Sequence, residues 1–121
     1  MSLLIALMSV SATCNPDPSL AGAGPRRVRA YFAAINARDE SAIGRFLMPG
    51  ATYSNARVRR MPLAEVMTSL VATPEAERLD VIEATARGDR VFLRTRTPSG
   101  SQASATVRLD GGCLAEFVQT S

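Results

Sequence analysis

Two kinds of hydrophobic periodicity divide the chain. Between residues 25 and 74 the apolar residues recur at intervals of three and four, which is typical of amphipathic helices. From residue 79 onward apolar and polar residues alternate, which is typical of strands with one face on a core. The pattern therefore predicts an α+β domain in which helices come first and a sheet covers their apolar stripes.

The first half predicts three helices. Pro25 suits the first turn of the first helix, Asp39 is a favourable N-cap for the second, and Pro62 opens the third. The second helix ends at residues 49–50, a Pro-Gly pair, and the third ends at Pro74. The three apolar stripes are Val28, Tyr31, Phe32 and Ile35; Ala42, Ile43, Phe46 and Leu47; and Leu63, Val66, Met67, Leu70 and Val71.

The second half predicts four strands joined by short turns. A brief extended segment at 51–55 precedes them, between the second and third helices. Because short connections make neighbouring strands antiparallel, the four strands should form a meander that closes over the helices around a partly enclosed cavity. The predicted strands are 79–86, 90–97, 101–109 and 113–119, with turns at 87–89, 98–100 and 110–112.

Composition excludes several kinds of site. The chain has no His, Lys or Trp, and its 14 basic residues are all Arg, against 11 acidic residues, for a net charge of +3. A Ser-His-Asp relay, a His-rich zinc site and a Lys Schiff base are therefore impossible. We predict no metal site and no cofactor. We also predict no nucleic-acid partner, because the charge is small and most of the six aromatic residues are assigned to the core.

The N-terminus resembles an export signal in its order of segments. An apolar run at 3–10 is followed by small residues and then by the Pro-rich stretch NPDPS. This order predicts a secretory signal peptide cut before Thr13, with residues 1–24 as signal and linker and residues 25–121 as the domain. Alternatively, the SATC segment allows lipid modification of Cys14, the one case in which a membrane becomes a partner. A cytosolic protein with a frayed tail is the third interpretation.

The two cysteines, Cys14 and Cys113, lie near opposite ends of the chain. In an exported protein that keeps its tail they could pair and join the tail to the last strand. In the cytosol both would remain thiols. Cys113 by itself is also explained as a small apolar residue within a strand.

The order of elements, together with the segments RVRAYFAAINARDESAIGRFLMPGATYSN and RLDGGCLAEF, resembles the nuclear transport factor 2-like superfamily, and within it the SnoaL-like group. The resemblance covers about residues 26–119. It implies a cone-shaped curved antiparallel sheet wrapped around three N-terminal helices. It also implies a pocket for a small molecule and a homodimer formed through the sheet.

Members similar to limonene epoxide hydrolase use a Tyr and an Asn on the first strand, an Arg and an Asp on a middle strand, and an Asp on the last. Tyr53 and Asn55 match the first pair, whereas Thr95, Thr97 and Gln119 stand at the charged positions. Since Thr and Gln supply no base at neutral pH, we assign no catalytic residue. The predicted ligand-binding residues are Tyr53, Asn55, Tyr31, Thr95, Thr97, Phe117 and Gln119.

Other carboxylates have ordinary structural explanations. Asp39 is a helix cap, and alternation places Glu116 outside the cone. Asp80 and Glu83 are three residues apart, which predicts opposite faces of one strand, so only one of them could point inward.

We therefore predict a protein that binds a small, largely apolar ligand without catalysis. The alternatives are a small-molecule isomerase, cyclase or hydrolase of the same superfamily, and a protein-interaction module. Phe92, Arg94 and Arg96 share the outer sheet face and predict a homodimer interface there. The Arg-rich loop at 57–60 is either a solvated loop or an attractor for an acidic ligand.

Overall fold

The computed structural model describes residues 9–121, so the predicted apolar run of the signal peptide lies outside the described residues except for its last positions. The three predicted helices and the strand-rich second half are confirmed. Within residues 9–121 no helix is both long and apolar enough to cross a membrane. The helices are α1 (Gly24–Asn36), α2 (Glu40–Phe46) and α3 (Leu63–Val71), preceded by a short 3₁₀ turn at Pro18–Leu20. The strands are β1 (Leu47–Ser54), β2 (Met61–Pro62), β3 (Asp80–Arg87), β4 (Arg90–Arg96), β5 (Gln102–Asp110) and β6 (Cys113–Gln119).

The six strands form one sheet in the order β2-β1-β6-β5-β4-β3. Strands β3 to β6 form the predicted antiparallel meander. The expectation of a wholly antiparallel sheet is wrong at one place, because β1 pairs with β6 in parallel. No hairpin joins these two strands, and the long path through α3 and the meander leaves β1 free to lie in either direction.

The end of α2 differs from its sequence pattern. Asp39 caps the helix as predicted, since its Oδ1 accepts a hydrogen bond of 3.0 Å from the Ala42 amide. Leu47, expected in the helix, is instead the first residue of β1, which continues through Pro49 and Gly50. Gly50 has a φ of +84°, and the β1–β6 register shifts in this stretch, so the Pro-Gly pair occupies an irregularity of the strand.

The core lies between the helices and the concave face of the sheet. Helix α1 contributes Val28, Tyr31 and Ile35 to this core, and the meander contributes the alternating residues of β4 and β5. These positions are those that the two periodicities predict. The largest fully buried side chains are Tyr31, Ile35, Ile43, Leu47, Leu63, Leu93 and Leu114.

Residues 9–14 run along α2 and β1 as part of the packed body. Val10 is only 4% exposed and belongs to the core, and its amide donates to Thr68 Oγ1 at 2.9 Å. The Thr13 amide donates to the Gly44 carbonyl at 3.0 Å. A Cβ at Gly44 would clash with the Ser11 carbonyl oxygen, so this close approach requires glycine.

A disulfide between Cys14 and Cys113 joins this segment to the start of β6, with the Cα atoms 5.8 Å apart. The pairing that the sequence left open is therefore present in the structure. Cys113 directly follows the β5–β6 turn, in which Gly111 and Gly112 have φ values of 53° and 82°. Two positive φ values in succession define the tight hairpin turn that the DGG segment predicts.

Candidate functional site

A cavity of about 170 Å³ lies between α1 and the concave face of the sheet, at the end of the cone opposite the disulfide. Its apolar walls come from Phe32, Leu79, Leu93 and Phe117, while the side chains of Thr95 and Gln119 supply polarity. The described residues that line it include no charged side chain. The cavity therefore matches a neutral, largely apolar molecule in its chemistry.

The alternation of side chains along β4 places Thr95 on the wall of the cavity. Leu93 and Thr95 are two residues apart on β4 and share its inner face, where Thr95 lies opposite Ala103 of β5. Thr95 is 6% exposed, a polar residue within an otherwise apolar layer. Its hydroxyl remains neutral across the whole accessible pH range, so it can orient a ligand but cannot act as a base.

A hydrogen-bonded row forms the mouth of the cavity, and we call Tyr53, Asn55 and Gln119 the mouth residues. The Tyr53 hydroxyl donates to Gln119 Oε1 at 2.7 Å, and Asn55 Nδ2 donates to the same hydroxyl at 3.3 Å. Asn55 Oδ1 accepts from the amides of Arg57 and Val58 at 2.8 and 2.9 Å. The Tyr53 hydroxyl therefore donates to one amide side chain and accepts from the other within this row.

Outside the mouth, an open groove of about 500 Å³ runs between β1 and α3. Tyr53 forms one wall, and Val58, Met61, Val66 and Leu70 make the groove mostly apolar. Glu65 also lines this groove, so it is the carboxylate that lies beside the mouth residues.

Five of the seven predicted ligand-binding residues come together. Asn55 and Tyr53 lie at the mouth, and Thr95, Phe117 and Gln119 line the cavity. The Tyr53 ring stacks on that of Phe117, with centroids 5.8 Å apart and planes at 20°. These two residues lie directly opposite each other in the parallel β1–β6 pair.

Thr97 is not at the cavity. Strand β4 ends at Arg96, and Thr97 begins the turn that follows it. Its Oγ1 accepts from the Ser101 amide at 3.1 Å and lies 3.0 Å from Ser99 Oγ. The expected strand was one residue too long, and the hydroxyl stabilises a turn instead of facing a ligand.

Tyr31 is also not at the cavity. It is fully buried in the core, where its ring packs edge-on against Phe32 and Phe46 at centroid distances of 5.4 and 6.1 Å. Its hydroxyl has no hydrogen-bond partner among the described residues. Burial raises the pKa of this phenol well above its ordinary value of 10.0, because the charged form loses its hydration.

The prediction for Asp80 and Glu83 is wrong. The β3–β4 register shifts between Val81 and Glu83, so Asp80 lies opposite Arg96 and Glu83 lies opposite Arg94. The bulge uses one additional residue and places both carboxylates on the outer face. Glu116 lies on the same face, as predicted, with Oε1 3.4 Å from Arg90 Nη1.

Six residues that line the cavity were not predicted as site residues: Phe32, Leu79, Leu93, Ala103, Ser104 and Ala105. Phe32 was assigned to the core from its helix stripe, and Leu79 was expected only as the start of a strand. Asn36 fixes Leu79 at the cavity by two hydrogen bonds, from Nδ2 to the Leu79 carbonyl at 2.9 Å and from the Leu79 amide to Oδ1 at 2.8 Å. This long-range clamp has no signature in the sequence, where Asn36 is simply a residue that ends a helix.

The remaining polar clusters lie at the surface. The three arginines of the 57–60 loop are exposed, and Arg57 lines a shallow depression beside Asn55 and Gln119. On the outer sheet face the Arg87 guanidinium lies 5.3 Å from the Phe92 ring centroid. Within residues 9–121, no group of three or more His, Cys, Asp or Glu side chains is arranged to hold a metal ion.

Comparison with solved structures defines the class of fold. A candidate ketosteroid isomerase from Kribbella flavida is 15% identical, with a TM-score of 0.72 over 84% of this chain and 78% of that one. An NTF2-like protein of unknown function from Cytophaga hutchinsonii is 18% identical, with a TM-score of 0.63 over 77% and 84%. An LEH-like epoxide hydrolase from M. tuberculosis is 14% identical, with a TM-score of 0.65 over 83% of each chain.

The chain therefore has the nuclear transport factor 2-like fold, as the resemblance in the sequence implied. No protein-family model and no curated protein sequence matches it. Other similar structures are described as candidate polyketide cyclases, at 20% identity. At these identities the likeness establishes the fold and leaves the chemistry to the residues of the site.

Proposed function

We propose that this protein binds a small, neutral, largely apolar molecule in the cavity of the cone and does not transform it. The observation that carries the proposal is the lining, which consists of six apolar residues and three uncharged polar ones, Thr95, Ser104 and Gln119. A pocket with apolar walls and a few placed polar groups is the usual form of a small-molecule site.

The proposal of binding without chemistry rests on what the polar groups can do. Enolisation and epoxide opening need a base, and neither Thr95 nor Gln119 supplies one near neutral pH. The Tyr53 hydroxyl donates its hydrogen bond to Gln119 Oε1 in this structure. Asp80, Glu83 and Glu116 lie on the outer face of the sheet, and Glu65 lines the outer groove and not the cavity.

The test is binding of benzene, a neutral probe small enough for the cavity, followed by NMR titration. Ala103 lies on the inner face opposite Thr95, so Ala103→Leu should fill the cavity and weaken benzene binding at least about tenfold, a loss of about 1.4 kcal/mol. Ala72→Leu, the same substitution at an exposed position at the end of α3 and outside the proposed dimer face, is the matched control and should leave binding unchanged. Equal binding by both variants, or none by the parent protein, would contradict the proposal.

A second candidate function is hydrolysis of a small epoxide, favoured by the Tyr53 and Asn55 pair and by the similar structure of an LEH-like epoxide hydrolase. We expect no multiple turnover of styrene oxide. Sustained turnover that disappears in Tyr53→Phe would establish the enzymatic alternative and overturn the non-catalytic proposal.

We propose further that the protein works in an oxidising compartment, after export. The Cys14–Cys113 disulfide supports this, because cytosolic thiols are kept reduced. A sulfur atom in a disulfide cannot also carry a lipid. The disulfide at Cys14 is therefore an argument against the lipoprotein alternative. Intact mass under non-reducing conditions, on protein from its native host, should show a bridged chain without lipid. A lipid-modified Cys14 or two free thiols would contradict the proposal.

The homodimer also remains a proposal, and the outer sheet face supports it. Phe92 lies among Arg87, Arg94 and Thr106 on this face, a half-buried aromatic ring surrounded by polar groups. Light scattering at tens of micromolar should give twice the chain mass, and Phe92→Glu should return it to the monomer value. A monomer mass for the parent protein would refute the dimer.

A further inference from the structure

We infer that the stacked rings of Tyr53 and Phe117 are a gate between the cavity and the outer groove, and that the ligand is an elongated neutral molecule that occupies both. This inference rests on the proposed function, because it names the shape of the ligand that the same cavity takes.

The two rings stand between the two spaces. Tyr53 lines the groove and Phe117 lines the cavity, and their faces are in contact. On the cavity side, the Phe117 ring lies 6.3 Å from the ring of Phe32. The boundary at this point consists of side chains, which can change rotamer while the strands that carry them stay paired.

The volumes favour a shared ligand. Alone, the cavity of about 170 Å³ falls below the range of roughly 300–1,000 Å³ that is usual for small-molecule sites. The groove of about 500 Å³ is open on one side and holds a ligand weakly by itself. Joined through the gate, the two make a site of ordinary size with a closed inner end and an open outer end.

The groove is suited to the outer part of the same ligand. Its walls are mostly apolar, and Met61 on its rim is 36% exposed, which is high for a large apolar side chain. Methionine adapts its shape to bound molecules, and exposed apolar surface often marks a binding groove. Glu65 on the groove wall and the exposed arginines of the adjoining 57–60 loop carry opposite charges, so it is the mostly apolar wall that favours a neutral outer part.

Hydrogen bonds hold the gate closed. The Tyr53 hydroxyl donates to Gln119 Oε1, and Asn55 Nδ2 donates to that hydroxyl. Gln119 is itself held, because its Nε2 donates to the Ser121 carbonyl at 3.2 Å. Opening the gate requires breaking the Tyr53–Gln119 bond, so this bond should control the rate at which a long ligand enters.

The experiment is stopped-flow fluorescence with N-phenyl-1-naphthylamine, an uncharged probe with two aromatic groups that is too long for the cavity alone. In the parent protein the association rate should reach a plateau at high probe concentration, because gate opening becomes limiting. Tyr53→Phe and Gln119→Leu each remove the closing hydrogen bond and should raise the plateau about 2- to 12-fold, the range for one net hydrogen bond.

Tyr31→Phe is the matched control, since it removes a tyrosine hydroxyl that has no partner, and it should leave the plateau unchanged. Thermal melts verify that each variant is folded. A linear dependence on probe concentration in the parent, or equal plateaus in all variants, would overturn the gate. The benzene titration separates the two proposals: benzene binding with an unaltered plateau refutes the gate alone, whereas absence of benzene binding refutes the cavity site itself.

Discussion

The two ends of the meander strands are held in different ways. At the turn end, which comprises the β3–β4 and β5–β6 turns and the Cys14–Cys113 disulfide, the contacts include a covalent bridge and main-chain hydrogen bonds, such as that from the Asp17 amide to the Gly111 carbonyl. At the mouth, the contacts are hydrogen bonds between half-buried side chains such as Tyr53 and Gln119. We therefore expect the turn end to contribute more to stability than the mouth, whose side-chain hydrogen bonds can rearrange more easily.

Close approach at the turn end depends on glycine. A Cβ at Gly111 would lie 2.6 Å from the Asp17 amide nitrogen, and one at Gly24 would lie 2.9 Å from Val91 Cγ2. The Arg27 side chain closes this end further, because its Nε donates to the Gly112 carbonyl at 3.0 Å. Backbone contacts of this kind offer few alternative arrangements, unlike a row of side chains.

Removing the disulfide should lower the stability of the protein more than any other substitution considered for the two ends. Replacing both cysteines by Ala should lower the free energy of unfolding by about 3–5 kcal/mol, because the bridge closes a loop with a sequence separation of 99 residues. Urea denaturation of the variant against the oxidised parent measures the difference. A loss smaller than that caused by Tyr53→Phe would show that the mouth, and not the turn end, carries the stability.

Gly44→Ala should have the next largest effect. The added methyl meets the Ser11 carbonyl, so residues 9–14 must shift away from α2, at a cost of about 3 kcal/mol for overpacking against backbone. Gly22→Ala is the control, because nothing lies within 4 Å of a Cβ at that position. Equal melting temperatures for the two variants would mean that residues 9–14 do not pack closely against Gly44.

Tyr31→Phe should be stabilising by about 1–2 kcal/mol, because it removes a buried hydroxyl that lacks a partner. Chemical denaturation at pH 7 measures the gain. A decrease in stability would show that the hydroxyl has a partner in solution, such as a buried water molecule.

The same residue should make stability depend on alkaline pH. Burial holds the pKa of Tyr31 above its ordinary value of 10.0, so the phenol stays protonated in the folded state while the unfolded chain ionises. This contribution to stability is complete below pH 10 and is lost as the pH rises further, by about 1.4 kcal/mol per pH unit. The loss of stability between pH 10 and 11, where the unfolded phenol is only partly ionised, should be smaller by about 1 kcal/mol in Tyr31→Phe. Identical losses would place the hydroxyl in contact with solvent.

The smallest effect on stability should come from a substitution among the mouth residues. Tyr53→Phe removes the bond to Gln119 but leaves the stacked ring, so we expect a loss of about 0.5–1 kcal/mol in the free energy of unfolding. Comparison with the cysteine variant under identical urea conditions measures the contrast between the two ends directly. A loss above 2 kcal/mol would mean that the mouth is a rigid structural element.

Local patterns predicted the parts of the fold that depend on local physics. The stripe on α1 and the Asp39 cap follow from helical spacing and from unsatisfied amides at a helix start, and both are confirmed. These assignments need no knowledge of distant residues. The resemblance to the superfamily pointed to Thr95 and Gln119, which line the cavity, and also to Thr97, which does not.

Features that depend on distant contacts could not be predicted in this way. The bulge beside Val81 reverses the expected face of Asp80, and nothing in the residue types marks it. Val10 ends an apolar run that suits a signal peptide equally well, yet it lies in the core against α3. An apolar residue such as Val10 is suited both to a signal peptide and to a protein core, so the sequence alone does not distinguish the two.

The disulfide also alters what happens when the backbone is cut. All three helices and five of the six strands lie between Cys14 and Cys113, so the bridge closes most of the molecule into a covalent ring. Trypsin cleavage at the exposed Arg57 or Arg59 would open this ring without releasing a piece. The nicked protein would remain one molecule until it is reduced. In the exported protein that we propose, the loop at 57–60 can therefore be exposed to proteases without the loss of the domain when it is cut.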